Sequence, residues 1–292
     1  MKNDLPFIVG IGASAGGIDA LSQFFKGVPA QADMAFVVVT HLNPERESQL
    51  HKVLEHKTDM TVRVPDDNER VRAGTVYVMP QKTYLLIKDG RLQLHTLTTG
   101  VREYQPVDLF FSALAEDQKD NAAGVVLSGG DGDGTLGVKV IKEQGGVTFA
   151  QVADGGPPLN SEMPQSAIST GFVDFALPAG DMGEKLLEVR DGRAALEALA
   201  FDSDTDKQSS PKQVQSVIAT ILREVTGHDF AGYKSKTFFR RVSRRMQVRG
   251  CEDLQSYCDL IKQDNEEVNA LFRDLLISVT NFFRDADAFE AL

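Results

Sequence analysis

The sequence is poor in cysteine, in histidine, in long apolar runs and in positive charge, and each shortage removes a class of protein. Its 292 residues include two cysteines, Cys251 and Cys258. Standing seven apart without companions, they suit neither a disulfide framework nor a zinc site, which points to a reducing cytoplasm and no bound metal. No apolar stretch reaches transmembrane length, and the opening MKNDLP lacks the apolar core of a secretion signal. Neither membrane insertion nor export is therefore expected. Acidic residues outnumber basic ones by 42 to 31, for a net charge of −11, which disfavours nucleic acid as a partner. The histidines number five, with none between His95 and His228, and that gap limits where a catalytic base can come from.

What is present is ordinary for a globular chain, 42% hydrophobic and 25% charged residues, at a length that favours two domains. Residues 5–190 alternate short β-branched runs with helical patterns. PFIVGIG, MAFVVVT, AAGVVLSG and GVTFAQ read as buried strands, and GIDALSQFFKGV, ESQLHKVLEH, PVDLFFSALAED and TLGVKVIKEQGG carry three-to-four apolar spacing. That alternation predicts an α/β fold, a doubly wound, mainly parallel sheet covered on both faces. One insertion, TVYVMPQKTYLLIKDGRLQLH, reads as short strands with a tight turn at Asp89 and Gly90. Residues 201–211, FDSDTDKQSSP, are acidic and nearly free of apolar side chains, as a linker is. The boundaries expected are an α/β domain over 1–192, a linker over 193–211 and a small all-α domain over 212–292.

The richest stretch is IVGIGASAGGIDAL, where a strand runs into a glycine turn and then a helix. Gly10, Gly12 and Ala15 satisfy a relaxed dinucleotide fingerprint, but the second strand ends at His41 where that site needs a carboxylate for the ribose. A phosphate loop of the Gly-Lys-Ser type is absent too. The same residues spell Gly12-x-Ser14-x-Gly16, an elbow that lifts a serine clear of the sheet, with the helix amides beside it for an oxyanion. A serine hydroxyl needs a base and an acid to orient that base. In a parallel sheet the strand carboxyl ends share one rim, so Ser14 after strand one and His41 after strand two face the same edge. The turn GGDGDGTLG after a later strand adds Asp131 and Asp133. The order Ser, His, Asp excludes the α/β-hydrolase order Ser, Asp, His. The plainer alternatives are His41 capping a turn and the aspartates merely shaping theirs.

GIGASAGG, THLNPERES, VYVMPQK, LSGGDGDG and EMPQSAISTG, in this order over residues 5–190, resemble the chemotaxis receptor methylesterase family, CheB. The resemblance implies Ser14 as nucleophile, His41 as base and Asp133, rather than Asp131, as the orienting acid. Ala15, Gly16, Gly129 and Gly130 become the oxyanion loops, and the esterase needs no cofactor. Two positions depart from the family pattern, Gly130 where a larger residue is usual and Asp131 where glycine is usual. The implied reaction is hydrolysis of glutamate γ-methyl esters, with glutamine deamidation as a companion, on a chemoreceptor-like protein in the cytoplasm. The alternative is a degenerate module that docks on receptor or partner without catalysis.

Residues 212–292, through YKSKTFFRRVSRRM and LLISVTNFFRD, resemble the amino-terminal helical domain of the receptor methyltransferase CheR. There Thr280 and Arg284 match positions that contact S-adenosylmethionine, while Ser278 replaces an asparagine. No glycine-rich cofactor fold follows before Leu292, so transferase activity and firm cofactor binding are not expected. Read as one amphipathic helix, KTFFRRVSRRMQVR puts Phe238, Val242 and Met246 on one side and Arg241, Arg245 and Arg249 along another. The arginine stripe reads as a docking face for acidic receptor helices or as a solvated charged face.

Overall fold

The computed structural model describes residues 5–29, 32–40, 49–97, 105–154, 160–201, 211–251 and 253–276. The chain divides into two compact units, 1–190 and 191–292.

The first unit is built on a seven-stranded sheet. Strand β1 (Phe7–Ala13) is central and buried along its whole length, and β2 (Met34–Thr40) pairs with it in parallel. Outward from β2 come β5 (Thr75–Val78) and β3 (Thr61–Arg63); on the other side of β1 lie β8 (Ala122–Val126), β9 (Val147–Gln151) and β10 (Phe175–Leu177). Every pairing is parallel, so both faces must be covered. On one face helix α1 (Gly17–Lys26) packs Leu21, Phe24 and Phe25 against Phe36, joined by Met182 and Leu186 from the start of α6 (Met182–Phe201). The opposite face holds α3 (Pro106–Gln118) and α4 (Thr135–Gln144) through Phe110, Phe111, Leu114 and Ile141. The short helices α2 (Leu50–Glu55) and α5 (Glu162–Ser169) complete the layers.

The strand order fixes where a site can form. The chain leaves β1 for α1 on one face and leaves β8 for α4 on the other, so the crevice between these neighbouring strand ends is the topological switch point. Gly10 and Gly12 serve this packing. A Cβ on Gly10 would lie 2.9 Å from the Phe111 ring, and one on Gly12 would lie 2.4 Å from Val107 Cγ1. The glycines of the strand let α3 press onto β1. They do not cradle a phosphate.

The insertion forms short strands, as expected, and they divide between two sheets: its first piece, β5, is wholly buried and joins the parallel sheet beside β2. Only β6 (Thr83–Lys88) and β7 (Arg91–Thr96) form the hairpin, with β4 (Glu69–Arg70) beside β7. Its turn is the Asp89–Gly90 pair, both with positive φ (52° and 69°), as a tight hairpin of this twist requires. Residues 193–201, expected as linker, continue helix α6 to Phe201; residues 202–210 lie outside the described ones.

The second unit packs α7 (Pro211–Thr226), α8 (Ser235–Arg249), α9 (Leu254–Ile261) and α10 (Asn265–Leu276) around Leu222, Phe238, Val242, Met246, Tyr257 and Leu271. The apolar side of α8 read from spacing, Phe238, Val242 and Met246, is fully buried in that core.

Candidate active site

Ser14 stands on the turn that joins β1 to α1, half-buried. Its N–H donates to the Ser128 carbonyl at 2.9 Å, and its own carbonyl accepts from Gly17 N–H at 2.9 Å. Gly16 makes the reversal with φ 78°, a left-handed conformation that costs glycine little. The amides of Ala15 and Gly16 donate to no acceptor among the described residues. They open the positive end of α1 beside the serine, where an oxyanion would be stabilised.

The loop after β8 approaches the same turn. A Cβ on Gly129 would meet Met163 Sδ at 1.8 Å and Ser14 Cβ at 3.0 Å, so no larger residue fits between these segments. The Gly129 amide is itself engaged, donating to the Asn160 carbonyl at 3.0 Å. Expected as an oxyanion donor, Gly129 instead provides room. The exposed Gly130 keeps an amide without an acceptor among the described residues. Asp131 is exposed, and its Oδ1 accepts the Asp133 N–H at 3.0 Å, which turns its charge into the loop that it shapes.

Asp133 is 1% exposed and is held entirely by main-chain donors among its described hydrogen bonds. Its Oδ1 accepts from Asp108 N–H (2.9 Å) and Gly134 N–H (2.9 Å), and its Oδ2 from Val107 N–H (3.0 Å). It thereby caps α3, whose own N-cap residue Gln105 makes no side-chain bond. Asp108 returns the favour from the first turn of α3: its Oδ1 accepts Gly137 N–H of α4 at 2.6 Å. Two helix starts and two carboxylates are thus interlocked. Burial pushes the Asp108 carboxyl up to about 6, opposed by the Gly137 amide and reinforced by the neighbouring Asp133, and its Oδ2 is buried without a partner. Neither the crossed capping nor Asp108 was read from the sequence; the signal was QPVD, a helix start with no Ser, Thr, Asp or Asn at its cap.

His41 directly follows Thr40, the last residue of β2, and lies outside the described residues, as do Ser278, Thr280 and Arg284. Among the described residues no cluster of His, Cys, Asp and Glu could hold a metal ion.

In the helical unit the arginine stripe is corrected. Arg241 is 0% and Arg245 8% exposed, and they do not form an open docking face. Arg245 donates from Nε and Nη2 to Glu267 at 2.8 and 2.5 Å, and the Tyr257 hydroxyl donates to the same carboxylate at 2.9 Å. The pairing holds Arg245 above its ordinary range against the burial that opposes it. Burial lowers Arg241 to about 10, helped by the adjacent Arg240 and Arg244. Arg244, absent from the expected stripe, pairs with Asp274. Only Arg249 reaches solvent, and it bonds Asp264 at 2.9 Å. The stripe points inward because acidic residues of α10 and its approach meet it there.

A serine at a strand-to-helix elbow on the switch point of a parallel sheet, with the loop after β8 packed against it, makes the first unit an α/β domain with a hydrolase-like elbow. Residues 9–186 match the family model described as CheB methylesterase, and residues 216–276 match that of the CheR methyltransferase all-alpha domain. The chain belongs to the CheB methylesterase family. It is similar to the crystal structure of the Thermotoga maritima CheB methylesterase catalytic domain, with a TM-score of 0.57 and 30% identity, covering 63% of this chain and 98% of that one. A protein-glutamate methylesterase/protein-glutamine glutaminase of Bordetella avium is 35% identical over 185 residues, 62% of this chain and 53% of that protein. An uncharacterized 104.1 kDa protein of Rhodobacter capsulatus is 34% identical over 257 residues, which span 82% of this chain and 27% of the relative.

Proposed function

We propose that the first unit hydrolyses glutamate γ-methyl esters on a chemoreceptor-type protein, through Ser14, His41 and Asp133. The observation that carries this reading is the Ser14 turn, with two unengaged amides at the head of α1 and the Asp133 loop closing against it. His41 takes the Ser14 proton as the oxygen attacks the ester carbonyl. The tetrahedral oxyanion is received by the Ala15 and Gly16 amides, each worth roughly 3 kcal/mol when well aimed. His41 then returns the proton to the leaving methoxide, which departs as methanol, and water releases glutamate from the acyl-serine by the same route. Asp133 holds the imidazole tautomer and stabilises its charged form. Glutamine deamidation follows the same steps with ammonia leaving.

Asp133 accepts three main-chain donors, and on this reading the imidazole N–H of His41 donates to the same carboxylate. The crowded carboxylate is nonetheless the observation that favours a second reading, a docking module without catalysis. Methanol release from methylated receptor separates the two: wild type should exceed Ser14→Ala and His41→Ala by at least ~10³-fold. Equal rates remove the enzyme.

A cytoplasmic setting fits the free thiols Cys251 and Cys258, and no described helix is long and apolar enough to cross a membrane. The S-adenosylmethionine role implied for Thr280 and Arg284 belongs to a complete transferase, and no step here passes through it.

A further inference from the structure

Gln151 ends β9 on the same rim, and its side chain is oriented by chemistry rather than by fit alone. Its Oε1 accepts both the Ser128 N–H at 2.9 Å and the Ser128 hydroxyl at 3.0 Å. A main-chain N–H can only donate, so the atom facing it must be the amide oxygen. The carbonyl of that same Ser128 accepts the Ser14 N–H. The amide oxygen of Gln151 is therefore two hydrogen bonds from the backbone of the candidate nucleophile. Its NH₂ group faces away from Ser128 and donates to no acceptor among the described residues. A cleft of about 620 Å³ opens here, its wall including Gly16, Ile18, Asp19, Ser128, Gln151 and Asp154. Gly16 is two residues past Ser14, so the cleft begins at the site.

We propose that Gln151 is a substrate-binding residue of the esterase: its oxygen fixes the Ser128–Ser14 connection, and its NH₂ donates to a neutral carbonyl oxygen of the receptor segment lying in the cleft. The NH₂ group opens to the cleft, where a ligand that brings an acceptor can take its hydrogens. A polypeptide supplies one at every residue, and an acyl ester or amide supplies one at the reacting side chain. Lys26 and Lys57 also line the cleft, but Gln151 is the lining side chain that is tied to the Ser14 backbone through Ser128.

This rests on the esterase reading, and the test keeps the two apart. Gln151→Glu retains acceptors for both Ser128 donors but, when ionised, offers no hydrogen. Methanol release from methylated receptor should then show KM raised about tenfold or more, with kcat within about threefold and an unchanged unfolding midpoint. Gln151→Met removes the Ser128 acceptor as well and should lower kcat and the midpoint together. An unchanged KM in the Glu variant overturns the donor role and leaves the esterase reading intact. A loss of kcat and midpoint in the Glu variant, without a KM change, also overturns it, because Gln151 would then act only through Ser128. A wild type that releases no methanol removes the esterase reading, and the substrate role with it.

Discussion

Both units bury carboxylates, and two pairs of these acids are held by opposite means. In the first, Asp133 and Asp108 are met by main-chain amides at two helix starts. In the second, Glu267 and Asp274 are met by the guanidinium groups of Arg245 and Arg244. An amide donor is fixed by its helix and carries only partial charge, so it sets the position of the acid without supplying a countercharge. A guanidinium supplies the countercharge from a side chain. The first arrangement ties acids to the backbone of two helix starts, whereas the second spends its acids on joining helices through their side chains.

The largest expected effect is on the amide-held acid. Asp133→Asn keeps one oxygen for the caps and turns an NH₂ toward the remaining N–H, a conflict worth about 1–3 kcal/mol of stability. On the proposed mechanism it also presents the wrong partner to the imidazole, and the corresponding change in a serine protease triad lowers kcat by roughly 10⁴. Methanol release and denaturant unfolding should be measured on the same preparation. A rate that falls only as far as the folded fraction falls would make Asp133 a helix cap and nothing more.

The ion-paired unit should respond in stability alone. Glu267→Ala leaves Arg245 buried with its main partner gone, an expected loss of about 3–5 kcal/mol. The double change Arg245→Met with Glu267→Leu should recover most of it, since a packed apolar pair of similar volume replaces the charges. If the single and double variants unfold alike in urea, the pair is not what holds α8 against α10.

How much of this contrast could be read in advance depends on how far apart the partners lie in the chain. The strands and helices of the first unit announce themselves through local period, and the Asp89–Gly90 turn through its residue types. The sheet partner of β5 is not local, since β2 lies a helix and two short strands back along the chain. The arginine stripe was visible as a stripe, but α8 alone cannot say that Glu267 and Asp274 will face it from α10. For the site, Ser14 was legible because the elbow is local. The crossed capping by Asp133 and Asp108 joins residues 25 or more apart, and so was the substrate-side role of Gln151 hidden, its Ser128 partner being 23 residues back.

Asp108 sharpens the comparison through pH. Its carboxyl lies at about 6 in the folded chain against an ordinary value of 3.8. Below pH 4 it is protonated folded and unfolded, and contributes no penalty. Between about 4 and 6 the folded chain holds the extra proton, so stability falls as pH rises, by roughly 3 kcal/mol at most, and stays lower above that window. Asp108→Asn keeps an acceptor for Gly137 N–H and removes the titration. The midpoint of the first unit should then change less between pH 4.5 and 7.5 than in wild type. Parallel slopes would show that the burial of Asp108 is relieved by water.

The smallest effect comes from an amide-held carboxylate at the surface of the helical unit. Asp253 caps α9 at the surface, accepting Ser256 N–H at 2.7 Å. That bond holds its carboxyl below the ordinary range, the reverse of Asp108, because here the amides act on a carboxylate that water still reaches. A depressed value means stability present above the unfolded value and lost as pH falls through the folded one. Asp253→Ala should therefore cost about 1 kcal/mol near neutrality and progressively less below pH 4, in urea unfolding of the helical unit. A cost that persists unchanged at pH 2.5 would mean that the alanine disturbs packing rather than a charged cap, and the sign difference between a buried and an exposed amide-held acid would fail at its exposed end.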